Sequence, residues 1–448
     1  MRILLITPYF PPQHAVASLR TAHLARCWSA LGEEVTVLTT TKRADQRGLD
    51  LDIADARVVE IDYRPPRVLE RLRASHKGSD EGGADRPPAT ADGLRPLGLM
   101  RRVKQRSGAF SSVRMPDLTD WWVKPATHWA REHGPWDVAV SSSGPYTAHL
   151  VGLRLRVGGA VGKWAAEFRD LWTQNHTFRG LFPFTLRERM LEARCLRRAD
   201  LLVAVTEGFA RGLRRRARRT VEVIYNGFDP AETQREATSP KFTGSDLVRL
   251  IYTGTLYPGM QDPLPLMRAM KMLKDHHPAE AARFRLVVAG QGDEIWSDLV
   301  QRHEVGDLVE VLGVVPRDQA LAMQRQAHGL LLLDAVDPER GVLFAKVFEY
   351  LLASAPVLVV GGAAKSELGR LIADSARGLH AGNDANRVLT ALRDLINGVA
   401  ADVGERNDEL IATYSRDHQA RRYLSLLEAM VGSETGSSAK RPASAGSA

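Results

Sequence analysis

Cysteine is nearly absent: Cys27 and Cys195 are the only two in 448 residues. That excludes a disulfide framework and a thiolate metal site. Both fall in helical patterns, as buried thiols of a reducing compartment do. No run of 18 apolar residues occurs, so no segment reads as a membrane-spanning helix. The apolar opening Met1-Arg-Ile-Leu-Leu-Ile6 stops at Thr7-Pro8, too short for the core of a secretion signal, and a cytoplasmic location is expected. The loop after this first strand also lacks the Gly-x-Gly-x-x-Gly of a dinucleotide-binding turn, which argues against a nicotinamide enzyme. Asp50-Leu-Asp52 imitates a metal-binding Asp-x-Asp. No second carboxylate pair or histidine cluster accompanies it, so no metal and no cofactor are expected.

The composition itself, 44% hydrophobic and 25% charged, is that of a soluble globular protein. The net charge of +8 comes from 61 basic against 53 acidic residues and favours an anionic ligand or surface. The length suits two or three domains.

Residues 2–6 predict a strand, followed by the Pro-rich loop Thr7–His14. A helix through Arg20, Leu24, Cys27, Trp28 and Leu31 is stopped by Gly32, and Glu34–Thr39 predicts the second strand. This βαβ unit opens a doubly wound sheet. Residues 64–115 change character: Pro65-Pro66, Gly82-Gly83 and Pro87-Pro88 break any periodicity, and basic residues accumulate. The flanks at 68–72 and 97–103 fit short basic amphipathic helices, suited to an anionic membrane surface or acceptor; a solvated, variable surface insertion is the simpler alternative. Asp137–Ser141 predicts a strand ending in Ser142-Ser-Gly-Pro145, with a helix from Tyr146 to Leu155. Trp164–Trp172 predicts a strand ending in charge, and Asp200–Val205 and Val221–Tyr225 complete the sheet. The second half repeats the alternation, with strands at Val248–Thr253, Phe284–Ala289, Val309–Gly313, Gly329–Asp334 and Pro356–Gly361. The expected organisation is a first Rossmann-like domain over 1–229, a linker over 230–246, a second domain over 247–405, terminal helices over 406–431 and a disordered Gly/Ser/Ala-rich tail over 432–448. Two such α/β domains leave a cleft between them.

Between the last two strands lies Gly341-Val-Leu-Phe-Ala-Lys-Val-Phe-Glu-Tyr350. Lys346 and Glu349 are three residues apart, hence on one helical face. Ligands of open parallel sheets sit where a strand gives way to the next helix. There a cation could meet a phosphate and a carboxylate a sugar hydroxyl; a surface ion pair is the simpler alternative.

Taken in order, these blocks resemble the retaining glycosyltransferases of the GT-B fold, family 4 (group 1) type. Pro11-Pro12, a helix and Glu33-Glu-Val-Thr-Val-Leu-Thr39 are similar to that family's opening. Ser143-Gly-Pro145, Glu167-Phe-Arg-Asp-Leu-Trp172 and Asn226-Gly-Phe-Asp229 resemble its later first-domain blocks. Gly254, Gly290-Gln-Gly292 and Lys346-Val-Phe-Glu-Tyr350 resemble its donor-domain blocks. Several positions depart from the pattern. Gly341 stands where the first of two family glutamates is usual, and the loop after strand one reads Ala15-Val-Ala-Ser18 where two glycines are usual. Thr255 and Met260-Gln261 replace an Arg and a Lys, and Arg169 stands near the place of a histidine.

The resemblance implies two Rossmann-like domains facing across a cleft. It also implies transfer of a hexose-type sugar from a nucleotide sugar to a glycan, lipid-linked or small-molecule acceptor, with retention and without metal. Lys346 and Arg169 are the implied catalytic cations on the departing diphosphate. Glu349 would accept from the donor ribose, and Gly254, Thr255, Gly290 and Gly292 would lie against the nucleotide. Acceptor-side candidates are Ser143, Asp170, which could orient Arg169, touch the acceptor or cap a helix, and His14, which could contact a hydroxyl, a solvated loop histidine being the simpler alternative. A Lys346–Glu349 ion pair is compatible with the free enzyme. Envelope construction, met peripherally at the inner face of the membrane through the basic insertion, is the setting that family habit and charge suggest. A non-catalytic partner subunit, and an epimerase or a phosphorylase on the same fold, are competing readings. Nucleic acid is not an expected partner, because the basic stretch lacks interleaved aromatics.

Overall fold

A computed structural model describes residues 1–13, 16–49, 51–66, 107–175, 178–231, 247–337, 341–399 and 404–432. His14, Asp50, the two basic flanks at 68–72 and 97–103, most of the linker (232–246) and the tail from 433 lie outside the described residues. The chain divides into two compact units. The first holds Met1–Val205, Phe209–Tyr225 and the C-terminal helix from Ala420; the second holds Thr206–Gly208 and Asn226–Gln419.

The first unit runs β1 (Arg2–Ile6), α1 (Val16–Ala30), β2 (Glu34–Thr40), β3 (Arg57–Ile61), α2 (Val123–Glu132), β4 (Trp136–Ser143), α3 (Thr147–Val157), β5 (Val161–Phe168), α4 (Phe184–Arg198), β6 (Leu201–Ala204), α5 (Glu207–Ala217) and β7 (Glu222–Val223). The strands form one parallel sheet in the order β3-β2-β1-β4-β5-β6-β7. The order reverses between β1 and β4, which makes their carboxyl ends the topological switch point. Ile3, Leu4, Leu5 and Ile6 are all fully buried, because helices cover both faces of a parallel sheet and its strands read as apolar runs.

Three details differ from the expected boundaries. β5 ends at Phe168, so Arg169 and Asp170 leave the ladder in a bend. β7 has only two residues. Residues 107–115 belong to the packed unit, not to an insertion: Ala109 and Met115 are core residues, and buried Arg114 pairs with Glu188 at 2.7 Å.

The second unit runs β8 (Val248–Thr253), α6 (Leu264–His276), α7 (Pro278–Ala282), β9 (Phe284–Ala289), α8 (Asp293–Arg302), β10 (Val309–Gly313), α9 (Arg317–Gln326), β11 (Gly329–Leu333), α10 (Lys346–Leu352), β12 (Val357–Val360), α11 (Glu367–Asp374), β13 (Gly378–Gly382), α12 (Ala385–Ile396) and α13 (Asp408–Thr413). Its parallel sheet has the order β10-β9-β8-β11-β12-β13. The switch point therefore falls between β8 and β11. Both units are Rossmann-like and doubly wound, the GT-B plan.

The last helix, α14 (Arg416–Gly432), supplies core to the first unit. Ala420, Tyr423, Leu424 and Leu427 join Trp28, Val35 and Val37 in one apolar cluster. The indole N–H of Trp28 donates to the Ala420 carbonyl at 2.9 Å, and its ring meets Tyr423 edge-on at 5.4 Å. Among the described residues no helix is long and apolar enough to cross a membrane.

Candidate functional site

In the second unit the switch point brings Gly254, just after β8, beside Lys346, the first residue of α10. A Cβ added at Gly254 would lie 3.4 Å from the Lys346 ammonium. Val347, Phe348, Tyr350 and Leu351 are buried, so α10 is pinned to the sheet and draws Lys346 in with it. Lys346 is only 9% exposed, and its Nζ has no hydrogen-bond partner. It rests on the face of Tyr252, 3.5 Å from the ring centroid, where the quadrupole of the ring attracts a cation. Burial pulls its pKa down from 10.5 to about 7, against the opposing pull of the Glu349 charge. An unpartnered ammonium in so dry a place gains from a neighbouring anion.

The Lys346–Glu349 ion pair that the helical spacing allows does not form. Glu349 accepts from Arg317 at 2.9 Å through Oε1 and from Gln324 at 3.2 Å through Oε2. Both donors come from α9. Gln324 also donates to Thr253 Oγ1 at 2.9 Å, and the Thr253 amide donates to the Tyr350 hydroxyl at 3.0 Å. Glu349 is thus held by neighbours that leave Lys346 free.

The glycines of the second unit have a packing reason of their own. Gly290 has φ +142°, and a Cβ there would sit 2.2 Å from the Gly254 carbonyl oxygen; at Gly292, φ +100°, it would meet Leu256 at 3.2 Å. The loops after β8 and β9 therefore touch backbone to backbone. The carbonyl of Thr255 accepts from the Tyr252 hydroxyl at 2.9 Å, which fixes the ring under Lys346.

In the first unit the first turn of α1 and the end of β4 meet around Arg169, just after β5. Its Nε donates to the Ser143 carbonyl at 2.9 Å, Nη2 to the Gly144 carbonyl at 2.7 Å and Nη1 to the Ala17 carbonyl at 3.0 Å. Three of the five guanidinium N–H groups are spent on backbone, and two stay available. Burial lowers its pKa, opposed by the charges of Glu167 and Asp170. Asp170 is exposed and makes no hydrogen bond to Arg169, so backbone carbonyls, not Asp170, orient the guanidinium. The Ser143 hydroxyl is buried and unpartnered beside them.

Beneath lies a pair that sequence reasoning passed over. Glu167, fully buried, accepts from Arg20 Nη2 at 2.6 Å and Nε at 3.1 Å, and from the Ser142 hydroxyl at 2.5 Å. Although burial opposes it, the Arg20 charge and hydrogen bonds hold the Glu167 pKa below the ordinary value. Arg20 also donates to the carbonyls of Ile224 and Tyr225 at 2.9 and 2.6 Å. The signal was there: an arginine on the apolar stripe of α1 and a glutamate inside an apolar strand require each other. Tyr252, Arg317 and Gln324 were missed too, and nothing in their local sequence marks them. Among the described residues no cluster of three His, Cys, Asp or Glu side chains is placed to hold a metal.

Residues 17–227 match the family model described as "Glycosyl transferase 4-like domain". No curated protein matches the chain by sequence. Among solved structures, sucrose-phosphate synthase from Thermosynechococcus elongatus is 14% identical, with 96% of this chain and 99% of that one covered and a TM-score of 0.59. An E. coli protein described as trehalose-6-phosphate bound with UDP-2-fluoro glucose is 12% identical, covering 95% and 99%, with a TM-score of 0.59. The apo structure of OtsA is 13% identical, covering 95% and 99%, with a TM-score of 0.60. At such identities the likeness is one of fold. The family match supplies the rest: this chain is a glycosyltransferase of GT-B architecture, with a glycosyl transferase 4-like domain in its first unit.

Proposed function

We propose that the chain moves a hexose-type sugar from a nucleotide sugar to a glycan, lipid-linked or small-molecule acceptor, with retention and without a metal ion. The observation that carries this reading is the buried, unpartnered ammonium of Lys346 beside Gly254 at the β8/β11 switch point. As the bond from the anomeric carbon to the diphosphate breaks, charge builds on the diphosphate oxygens, and a desolvated cation already in place stabilises it. Arg169, with two N–H groups not spent on backbone, is the catalytic cation of the first unit. Glu349, fixed by Arg317 and Gln324, accepts from the ribose hydroxyls. Gly254, Thr255, Gly290 and Gly292 line the nucleotide; Ser143, Asp170 and His14 serve the acceptor. With retention, the acceptor oxygen attacks from the face the diphosphate leaves, and its proton passes to the leaving diphosphate. The E. coli protein described with UDP-2-fluoro glucose supports a nucleotide-sugar donor. An acceptor used in envelope construction would be met at the inner face of the membrane.

A thermal-shift panel of UDP, GDP, TDP and ADP sugars on wild type, Lys346→Met and Glu349→Ala tests the reading. A ligand at about 100 times its Kd stabilises the native state by about 2.7 kcal/mol. One nucleotide series should raise the melting temperature of the wild type and lose its effect in both variants. No shift with any of them would sink the reading and favour a non-catalytic partner subunit, for which Gly341 in place of a family glutamate is the supporting observation.

A further inference from the structure

Helix α4 turns its charges the unusual way round. Its glutamates face inward: Glu188 is fully buried and Glu192 is 1% exposed. Glu188 accepts from Arg114 Nε and Nη2 at 3.0 and 2.7 Å and from the Met115 amide at 2.7 Å. Glu192 accepts from the Thr173 amide at 3.1 Å and pairs with Arg216 at 3.1 Å. Both carboxylates are neutralised from within the unit. The outward face is left with Arg187, Arg194, Arg197 and Arg198, all exposed. Between these cations stand Leu186, 57% exposed, and Met190, 49% exposed, one helical turn apart and so on one stripe.

The neighbouring elements extend the same surface. α3 adds exposed Arg154 and Val157, the latter 63% exposed, and the loop before α4 adds Phe182, 75% exposed. An open groove of about 640 Å³ runs there, floored by Leu150, Leu153 and Leu191. On the flanking elements, Asp200 is already paired with Arg156 at 2.7 Å. A soluble anion would call for the arginines alone. Guanidinium groups interleaved with exposed aliphatic and aromatic side chains match an interface that is anionic at its surface and hydrocarbon just beneath.

We propose that this face, formed by α3, α4 and the Phe182 loop, docks the first unit on an anionic phospholipid bilayer. The arginines meet lipid phosphates, and Leu186, Met190, Val157 and Phe182 enter the headgroup region. The inference gives the membrane setting of the proposed function a surface of its own. It is read by lipid binding, so its failure and that of donor binding are separately visible.

The test is co-sedimentation of the full chain with vesicles of phosphatidylcholine alone and of phosphatidylcholine mixed with phosphatidylglycerol. Wild type should bind the mixed vesicles only. An arginine near an anionic surface contributes about five-fold in binding; Arg194→Gln/Arg197→Gln/Arg198→Gln should therefore weaken it by roughly 100-fold. Leu186→Gln/Met190→Gln should weaken it at the same net charge, and added salt should weaken the wild type. All five positions are exposed, so melting temperature and nucleotide binding should stay as in the wild type and certify the fold. A parallel variant neutralises Arg101, Arg102, Lys104 and Arg106 of the basic insertion. Loss of binding in that variant with none in the α4 variants would overturn the proposal. So would absence of binding to mixed vesicles, or binding to a single-stranded oligonucleotide without binding to vesicles.

Discussion

Replacing Lys346 with methionine should stabilise the protein, and the gain should shrink as the pH rises. The unfolded chain keeps the lysine proton up to about 10.5, whereas the folded protein releases it at about 7. Between those values the unfolded state binds more protons, so this group makes wild-type stability increase with pH. Holding the charge in the folded state at low pH costs at most roughly 5 kcal/mol, at about 1.4 kcal/mol per pH unit. By about pH 9 most of that cost has vanished from the wild type, leaving about 2 kcal/mol. Methionine has a similar length and no charge, and it sits on Tyr252 as well as the lysine stem does. The difference in unfolding free energy between variant and wild type should therefore fall by about 2 kcal/mol from pH 7 to pH 9. Urea unfolding at the two pH values reads this directly, since groups that titrate alike in both proteins cancel. A difference that stays constant with pH would refute the account of Lys346 as a desolvated, unpartnered ammonium.

The same residue should make nucleotide binding proton-linked: at about pH 8 the free site is mostly neutral, and a diphosphate should recharge it with uptake approaching one proton. Calorimetry in buffers of different ionisation enthalpy would show that uptake in the wild type and none in Lys346→Met. Glu349→Ala should abolish the nucleotide-induced shift at little cost in stability, about 0–1 kcal/mol, because the guanidinium of its partner Arg317 is 40% exposed and already hydrated; a large loss in urea stability would contradict this. Arg20→Ala should cost about 3–5 kcal/mol, since it strands a buried carboxylate at Glu167, and a midpoint within error of the wild type would contradict the pairing. Trp28→Ala should cost a similar 3–5 kcal/mol and should loosen α14, read as faster amide exchange around Tyr423.

Much of the architecture was legible because parallel strands carry a strong local signal. Val248–Thr253, Phe284–Ala289 and Val309–Gly313 are observed with the expected bounds. Each is a short run rich in apolar and β-branched residues, closed by a turn former. Boundaries slipped where charge and apolar residues mix. Leu171 and Trp172 after Arg169 suggested a longer β5, yet they are buried by packing beyond the ladder. Residues 107–115 resembled an insertion because what ties them in is distant in sequence: Arg114 and Glu188 are 74 positions apart.

The candidate site divides along the same line. Periodicity and motif order located Gly254 and Gly290 just after strands and Lys346 and Glu349 on the helix between β11 and β12, which needs only the rule that ligands gather at the carboxyl edge of a parallel sheet. What Lys346 is bonded to could not follow from helical spacing. An i,i+3 neighbour is close in any helix, but α9 carries Arg317 and Gln324 to Glu349, and the fold of β8 carries Tyr252 under Lys346. Similarly, Arg169 is aimed by three carbonyls, from the end of β4 and the first turn of α1, not by the adjacent Asp170. Local sequence sets which chemistry arrives at a strand end; burial and partner choice are long-range quantities, settled by which elements of the folded chain pack against it.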